Sequence, residues 1–202
     1  MVGRFLAIAA IGYLLGSCNG AILISRVFLR DDVREHGSGN AGLTNFYRSY
    51  GGVLTLLVIV IDLGKVFLAC WLGRVLGKGA WLPEYTMMGG TAAVIGHMFP
   101  LYFDLRGGKG ILSTGAVALF MDWRMFLILF GLFLLLVLLT RYVSLGSIVA
   151  AALYLVLFLL FFPGRWGLVV LALVGWYDVW RHKANIRRLL SGTESKFSFH
   201  RS

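Results

Sequence analysis

The sequence predicts an all-α integral membrane protein, a bundle of seven transmembrane helices with an extracytoplasmic N-terminus and a cytoplasmic C-terminus. Three observations carry that reading. The chain has 202 residues of which 59% are apolar, and its mean hydropathy is +0.83, whereas soluble domains are roughly 45–50% apolar. Its apolar stretches match the roughly 20 residues a helix needs to cross the hydrocarbon. The formal net charge of +10 collects in a few short segments, as it does on the cytoplasmic side of membrane proteins.

The apolar runs, in order, are Val2–Phe28, Val53–Leu72, Tyr85–Phe103, Ile111–Thr140, Ser144–Phe162 and Trp166–Trp180. The first is too long for a signal-peptide core and lacks a small-residue cleavage site, so it is expected to stay as a helix. The fourth holds "DWR", Asp122 to Arg124. As one span it would bury both charges at mid-membrane, at roughly 2.5–3.5 kcal/mol each. A hinge there divides it into two short helices and raises the count to seven.

With seven spans, Arg26, Arg30, Arg34, Arg48, Arg106, Lys109, Arg141 and the Lys and Arg residues of the tail share one face, leaving Arg4, Arg74, Lys78, Arg124 and Arg165 on the other. That asymmetry sets the orientation. The chain then reads as a single membrane-embedded domain over 1–202. Its cytoplasmic loops fall at about 29–52, 103–110 and 140–147, with a cytoplasmic tail at 181–202. Four polar segments, distant in sequence, can converge at that face.

The first segment, "GSGNAGLTNFYR", interrupts hydrocarbon on both sides. Gly37, Gly39 and Gly42 expose N–H groups and permit positive φ. Ser38, Asn40, Thr44 and Asn45 add neutral donors and acceptors, and Arg48 can fork onto two phosphate oxygens. The composition suits an anion nest and equally suits a flexible connector.

The second, "HMFPLYFDLRGGKGILS", is no nucleotide loop. Phe103 stands where the first glycine of a Walker motif belongs, and Gly110 replaces its Ser/Thr. It leaves Gly107, Gly108 and Gly110 around Lys109 at the start of an apolar helix, where amides and the helix dipole favour an anion. His97 reads as a structural hydrogen-bonding residue. In "RYVSLGS", Ser144 is placed as a helix N-cap, with Arg141 and Ser147 nearby. In the tail, His182 and Asn185 share a helix face with Arg188, an arrangement equally expected of a basic helix lying on anionic lipid. Asp62 and Lys65, spaced i, i+3 within a span, are expected to form a structural ion pair.

Several chemistries are excluded. Cys18 and Cys70 lie in apolar runs without CxxC spacing and read as small hydrophobes. No metal-ligand spacing and no nucleophile elbow occur, so no metal and no cofactor are expected. The His-x-x-x-x-Asp pair of many lipid acyltransferases is missing, because Tyr102 and Ala41 stand where the aspartate would follow His97 and His36. Nucleic acid is not an expected partner.

Together, the four segments "GSGNAGLTNFYR", "GHMFPLYFDLRGGKG", "RYVSLGS" and "RHKANIRRLLSGTE" resemble, in order and nearly end to end, the cytoplasmic signatures of the bacterial acyl-phosphate-dependent glycerol-3-phosphate acyltransferases, the PlsY family. The resemblance implies a seven-helix bundle in the bacterial inner membrane. It further implies acyl transfer from acyl phosphate to sn-glycerol 3-phosphate, giving lysophosphatidic acid and phosphate without acyl-CoA or cofactor. It implies that Ser38, Asn40, Asn45 and Arg48 belong to the site, and that Gly107, Gly108, Lys109 and Gly110 cradle phosphate with help from Ser144 or Ser147. His182 and Asn185 would hold glycerol phosphate and its hydroxyl, and Glu194 would be structural. The sequence departs from the pattern after "GGKG", where Ile111-Leu112-Ser113 stand for Val-Ala-Thr. Ser113 keeps the hydroxyl beside the bulkier Leu112. It also lacks a proline near Gly16, and Val66 replaces a glycine after Lys65. A transporter for a phosphorylated or anionic solute is the competing expectation, although no internal repeat supports it.

Overall fold

The computed structural model describes residues 2–197; Met1 and tail residues 198–202, Arg201 among them, lie outside the described residues. Every regular element among the described residues is helical, as a chain surrounded by hydrocarbon requires of its backbone hydrogen bonds. Four segments are long and apolar enough to cross a membrane: Val2–Phe28, Leu54–Leu76, Trp123–Thr140 and Val143–Phe161. The chain divides into two compact units, Met1–Met121 and Asp122–Ser202.

In the first unit, the apolar run expected as one helix is two, α1 (Val2–Ser17) and α2 (Gly20–Phe28). The break has a local cause. Asn19 caps α2, its Oδ1 accepting from the Ile22 amide at 3.1 Å, and a capping asparagine has a non-helical backbone. α3 (Leu43–Ser49) then turns inside the first polar loop. α4 (Leu54–Leu76) and α5 (Leu82–Met98) follow, and α6 (Ile111–Met121) ends the unit. α1 and α4 both pack on α5. Glycine permits the closeness: a Cβ at Gly16 would collide with the Ala93 carbonyl, and one at Gly96 with that of Tyr13. Small residues at such crossings let membrane helices meet backbone to backbone.

The second unit opens at the expected hinge. Asp122 lies between α6 and α7 (Trp123–Thr140), caps α7 through the Arg124 amide at 2.8 Å, and pairs with the Arg124 guanidinium at 2.7 Å. Only Met125 and Leu129 of α7 are buried; the outward leucines and phenylalanines face the apolar solvent their composition demands. Arg141, in the left-handed region at φ 62°, turns the chain into α8 (Val143–Phe161). α8 packs on both α7 and α9 (Trp166–Arg181). His182 then bends the chain into the short basic α10 (Lys183–Leu190). The segment after α10 returns to the start of α8, where the Phe197 amide donates to the Arg141 carbonyl at 2.7 Å.

Candidate functional site

The Gly/Ser/Asn loop is organised from within by Asn45. Carried on α3, its Oδ1 accepts from the Ser38 amide and hydroxyl at 2.9 and 3.2 Å, while its Nδ2 donates to the Val33 and His36 carbonyls, both at 3.0 Å. This closes the loop into a ring around one buried amide. Gly37, at φ 55°, has no room for a Cβ because Asn45 Oδ1 occupies it. Ser38 and Arg48 are exposed and Asn40 and Thr44 half-buried, so the rim carries the polar groups and Asn45 the frame.

Two carboxylates brace the loop. Asp31 accepts from His36 at 2.7 Å and from the Tyr50 hydroxyl at 2.9 Å. The His36 hydrogen bond is the main cause holding the Asp31 carboxyl below its ordinary pKa, and burial beside the Asp31 carboxylate raises the Tyr50 phenol. Asp32 caps the short turn Val33–Glu35 through the Arg34 amide at 3.0 Å and forks onto the Arg34 guanidinium at 2.8–3.2 Å. The Arg34 hydrogen bonds hold its carboxyl far below the usual range.

At the second loop, the expected cradle is narrower than the composition suggests. The Gly107 and Gly108 amides donate to the Met98 and His97 carbonyls, both at 3.1 Å. They are the stop signal of α5, completing carbonyls that a helix end leaves bare, and they do not point into an anion nest. Lys109 is half-buried, and Gly110, at φ 106°, leads into α6. Ser113, in the first turn of α6, is fully buried. A phosphate held here therefore meets Lys109 and the start of α6, where the first amides lack intrahelical partners.

Beneath both loops lies a buried polar cluster. Lys65 Nζ is 2.6 Å from Asp62 Oδ1, the expected ion pair, and also 3.0 Å from His97 Nδ1 and 3.1 Å from the Cys18 carbonyl. Asn19 Nδ2 donates to the Ala41 carbonyl at 3.1 Å and lies 3.4 Å from His97 Nδ1. Asn19 was not legible as a site neighbour; the signal available was an Asn-Gly step inside an apolar run.

The second unit has its own cluster. Ser144 sits inside the first turn of α8 and is not its cap; Tyr142 occupies that position, without a side-chain bond. The reason lies in the turn, whose left-handed residue Arg141 starts the helix two residues early. Ser147 donates to the Val143 carbonyl at 2.9 Å. His182 Nδ1 is 2.8 Å from the Asp178 carbonyl. A carbonyl only accepts, so Nδ1 carries the proton and a neutral ring has its acceptor at Nε2. Asn185 Nδ2 donates to Glu194 Oε1 at 2.7 Å and Arg188 Nε to Glu194 Oε2 at 2.6 Å, which turns Asn185 Oδ1 away from Glu194. Burial alone would raise the Glu194 pKa, yet the Asn185 and Arg188 donors help to outweigh it and hold the group ionised. His182, Asn185 and Glu194 are all buried.

Among the described residues, no three His, Cys, Asp or Glu side chains gather as metal ligands would. The chain matches the family described as glycerol-3-phosphate acyltransferase over residues 6–192. A relative from Geobacillus kaustophilus, a glycerol-3-phosphate acyltransferase, is 40% identical over 190 residues, 94% of each chain. The crystal structure of PlsY, an integral membrane glycerol 3-phosphate acyltransferase, in its glycerol 3-phosphate form superposes with a TM-score of 0.86 at 32% identity, covering 96% of both chains. The lysophosphatidic acid form of PlsY gives 0.83 at 31%, covering 96% of this chain and 95% of that one.

Proposed function

The chain belongs to the glycerol-3-phosphate acyltransferase family, as a multi-pass bacterial membrane protein, and from that premise we propose its reaction. It transfers a fatty acyl group from acyl phosphate to the C1 hydroxyl of sn-glycerol 3-phosphate, the first step of bacterial phospholipid synthesis. Lysophosphatidic acid and inorganic phosphate are the products. The chain works as one acyltransferase domain of seven spans, N-terminus outside, with its polar loops on the cytoplasmic face of the inner membrane.

The observation that carries the proposal is the orientation of His182. With Nδ1 donating to the Asp178 carbonyl, the neutral ring has an acceptor at Nε2, which suits a substrate hydroxyl. Asn185, turned by Glu194, lies on the same short helix as Arg188, a cation that suits the glycerol phosphate. Arg48 and Lys109 supply cations for the acyl phosphate, with Ser38, Asn40 and Thr44 at the loop rim and Ser113 at the start of α6. The relatives' names support glycerol phosphate as acceptor, and the lysophosphatidic acid form of PlsY supports that lipid as product.

The hydroxyl oxygen attacks the acyl carbonyl carbon, the bond from that carbon to the phosphate oxygen breaks, and the hydroxyl proton passes to the departing phosphate. An anhydride leaves readily, so positioning and charge stabilisation are what the protein must add. In the bound state His182 orients the hydroxyl by accepting its hydrogen bond, and that bond is given up as the proton turns to the departing phosphate. His182→Ala therefore raises KM for glycerol 3-phosphate more than it lowers kcat; a loss confined to kcat would assign proton transfer to the ring.

The test supplies purified protein with glycerol 3-phosphate and either palmitoyl phosphate or palmitoyl-CoA. Turnover with the phosphate alone, lost in Arg48→Ala and Lys109→Ala, supports donor and site together. Turnover with the CoA ester would replace the donor. Silence with both, from folded protein, would move the assignment to transport of an anionic solute.

A further inference from the structure

Asp62 and Lys65 are 1% and 6% exposed, deep within a helix long enough to span the membrane. Such charges are costly there and are retained where they serve a site. Asp62 Oδ1 anchors the start of α2 through the Gly20 amide at 3.0 Å as well as binding Lys65. The ammonium of Lys65 has three neighbours, and the third is informative: His97 Nδ1 at 3.0 Å. An ammonium donates and cannot accept. Asp62 Oδ1 also lies near that nitrogen, at 3.5 Å, but the shorter contact is the ammonium's, so His97 Nδ1 accepts from it and the neutral ring carries its proton on Nε2. Asn19 Nδ2, also a donor, approaches the same nitrogen and reinforces the choice.

The other edge of the ring meets the glycine loop. A Cβ at Gly108 would collide with His97 Nε2, and the Gly108 amide donates to the His97 carbonyl. The loop that carries Lys109 is thus seated on the residue whose tautomer Lys65 determines. A purely structural pair would need no such connection, since apolar side chains of similar volume fill a buried site at least as well.

We propose that Lys65 is a positioning residue for anion binding at the Gly107–Gly110 loop: it holds His97 as the Nε2–H tautomer, and that ring seats the loop so that Lys109 is presented to phosphate. This rests on the reading of the loop as a phosphate site.

The test uses full-length protein in detergent, with inorganic phosphate as the probe and nitrogen NMR of labelled histidine reporting the tautomer. The wild-type His97 ring is expected to be protonated at Nε2. Lys65→Met should weaken that preference, leaving only the longer Asn19 contact, and weaken phosphate binding about tenfold, raising KM for acyl phosphate more than it changes kcat. His97→Gln, whose amide N–H stands near the position of Nε2–H, should restore phosphate binding in the Lys65→Met background. A wild-type ring protonated at Nδ1, or a folded Lys65→Met protein that binds phosphate normally, overturns the proposal. Should Lys65→Met not fold, His97→Gln and His97→Leu decide. Retention by Gln with loss by Leu supports the proposal, and equal loss by both overturns it. Wild type that binds no phosphate overturns it together with the loop's phosphate reading. Wild type that binds phosphate yet transfers no acyl group overturns only the reaction.

Discussion

Arg34 Nη1 donates to the carbonyl of Phe103 across 2.8 Å, although 69 residues separate them in the chain. Held by Asp32 on its other edge, Arg34 is a strut between the first polar loop and the one that carries Lys109. Neither residue is one of the loops' glycines or their expected phosphate ligands, yet their contact ties the two loops together within the first unit.

Breaking the strut should loosen both loops at once. Arg34→Met is expected to cost roughly 1–3 kcal/mol, the range for a charged hydrogen-bonded group that loses its partner, and thermal unfolding in detergent would read it. The pH dependence has a definite sign. The folded pKa of Asp32 is depressed, so its stabilisation is present above the ordinary carboxylate pKa and is lost as pH falls through the depressed value. Asp32→Asn should remove that acid-side decline; an unchanged decline would assign it to other carboxylates.

Asn45→Asp tests the loop frame with almost no change of shape. The carboxylate still accepts from Ser38, but the two donations to the Val33 and His36 carbonyls become oxygen–oxygen contacts. We expect activity to fall by more than tenfold, with the loop more readily cut by protease. An active, protease-resistant variant would remove Asn45 from the frame.

Gly108→Ala should be far worse than a methyl group ordinarily is, because its Cβ meets His97 Nε2 and lies 2.8 Å from the Ala41 carbonyl. Gly131→Ala is the matched control: it lies in α7 with open space around it, where alanine favours the helix by roughly 1 kcal/mol. The expected result is inactive or unfolded protein for the first and wild-type activity for the second, with melting temperature measured for both.

Glu194→Gln keeps the volume and removes the charge. Arg188 then loses its carboxylate and Asn185 one constraint on its orientation, so KM for glycerol 3-phosphate should rise about tenfold. Because the Glu194 pKa is lowered in the fold, the wild type loses this stabilisation as pH falls through that lowered value, and the variant should show a flatter acid limb. Equal acid limbs would show that Glu194 is not the titrating group.

Local composition made much of this legible. The Asp122 hinge was readable because two charges at mid-membrane are too costly to bury, and the Asp62–Lys65 pair because i, i+3 spacing puts both on one helix face. The break at Asn19 was missed because a single capping residue scarcely alters the hydropathy of a long run. Ser144 looked like a cap because serine before an apolar stretch ordinarily is one, and only the left-handed turn at Arg141 moves the helix start. The engagement of the Gly107 and Gly108 amides was hidden for another reason: the same glycines suit a helix stop and an anion nest equally well.

The amino-acid sequence by itself determined the apolar solvent, the helical class and the four polar segments, since each follows from composition within a window of about 20 residues. Tertiary structure alone decided which groups surround the His97 ring, which nitrogen of His182 carries the proton, which glycine amides are already engaged, and that Asn45 frames its loop. Those outcomes depend on donors and acceptors meeting within about 3 Å. The residues that meet lie between 4 and 78 positions apart in the chain, and packing, which no local pattern encodes, brings them together.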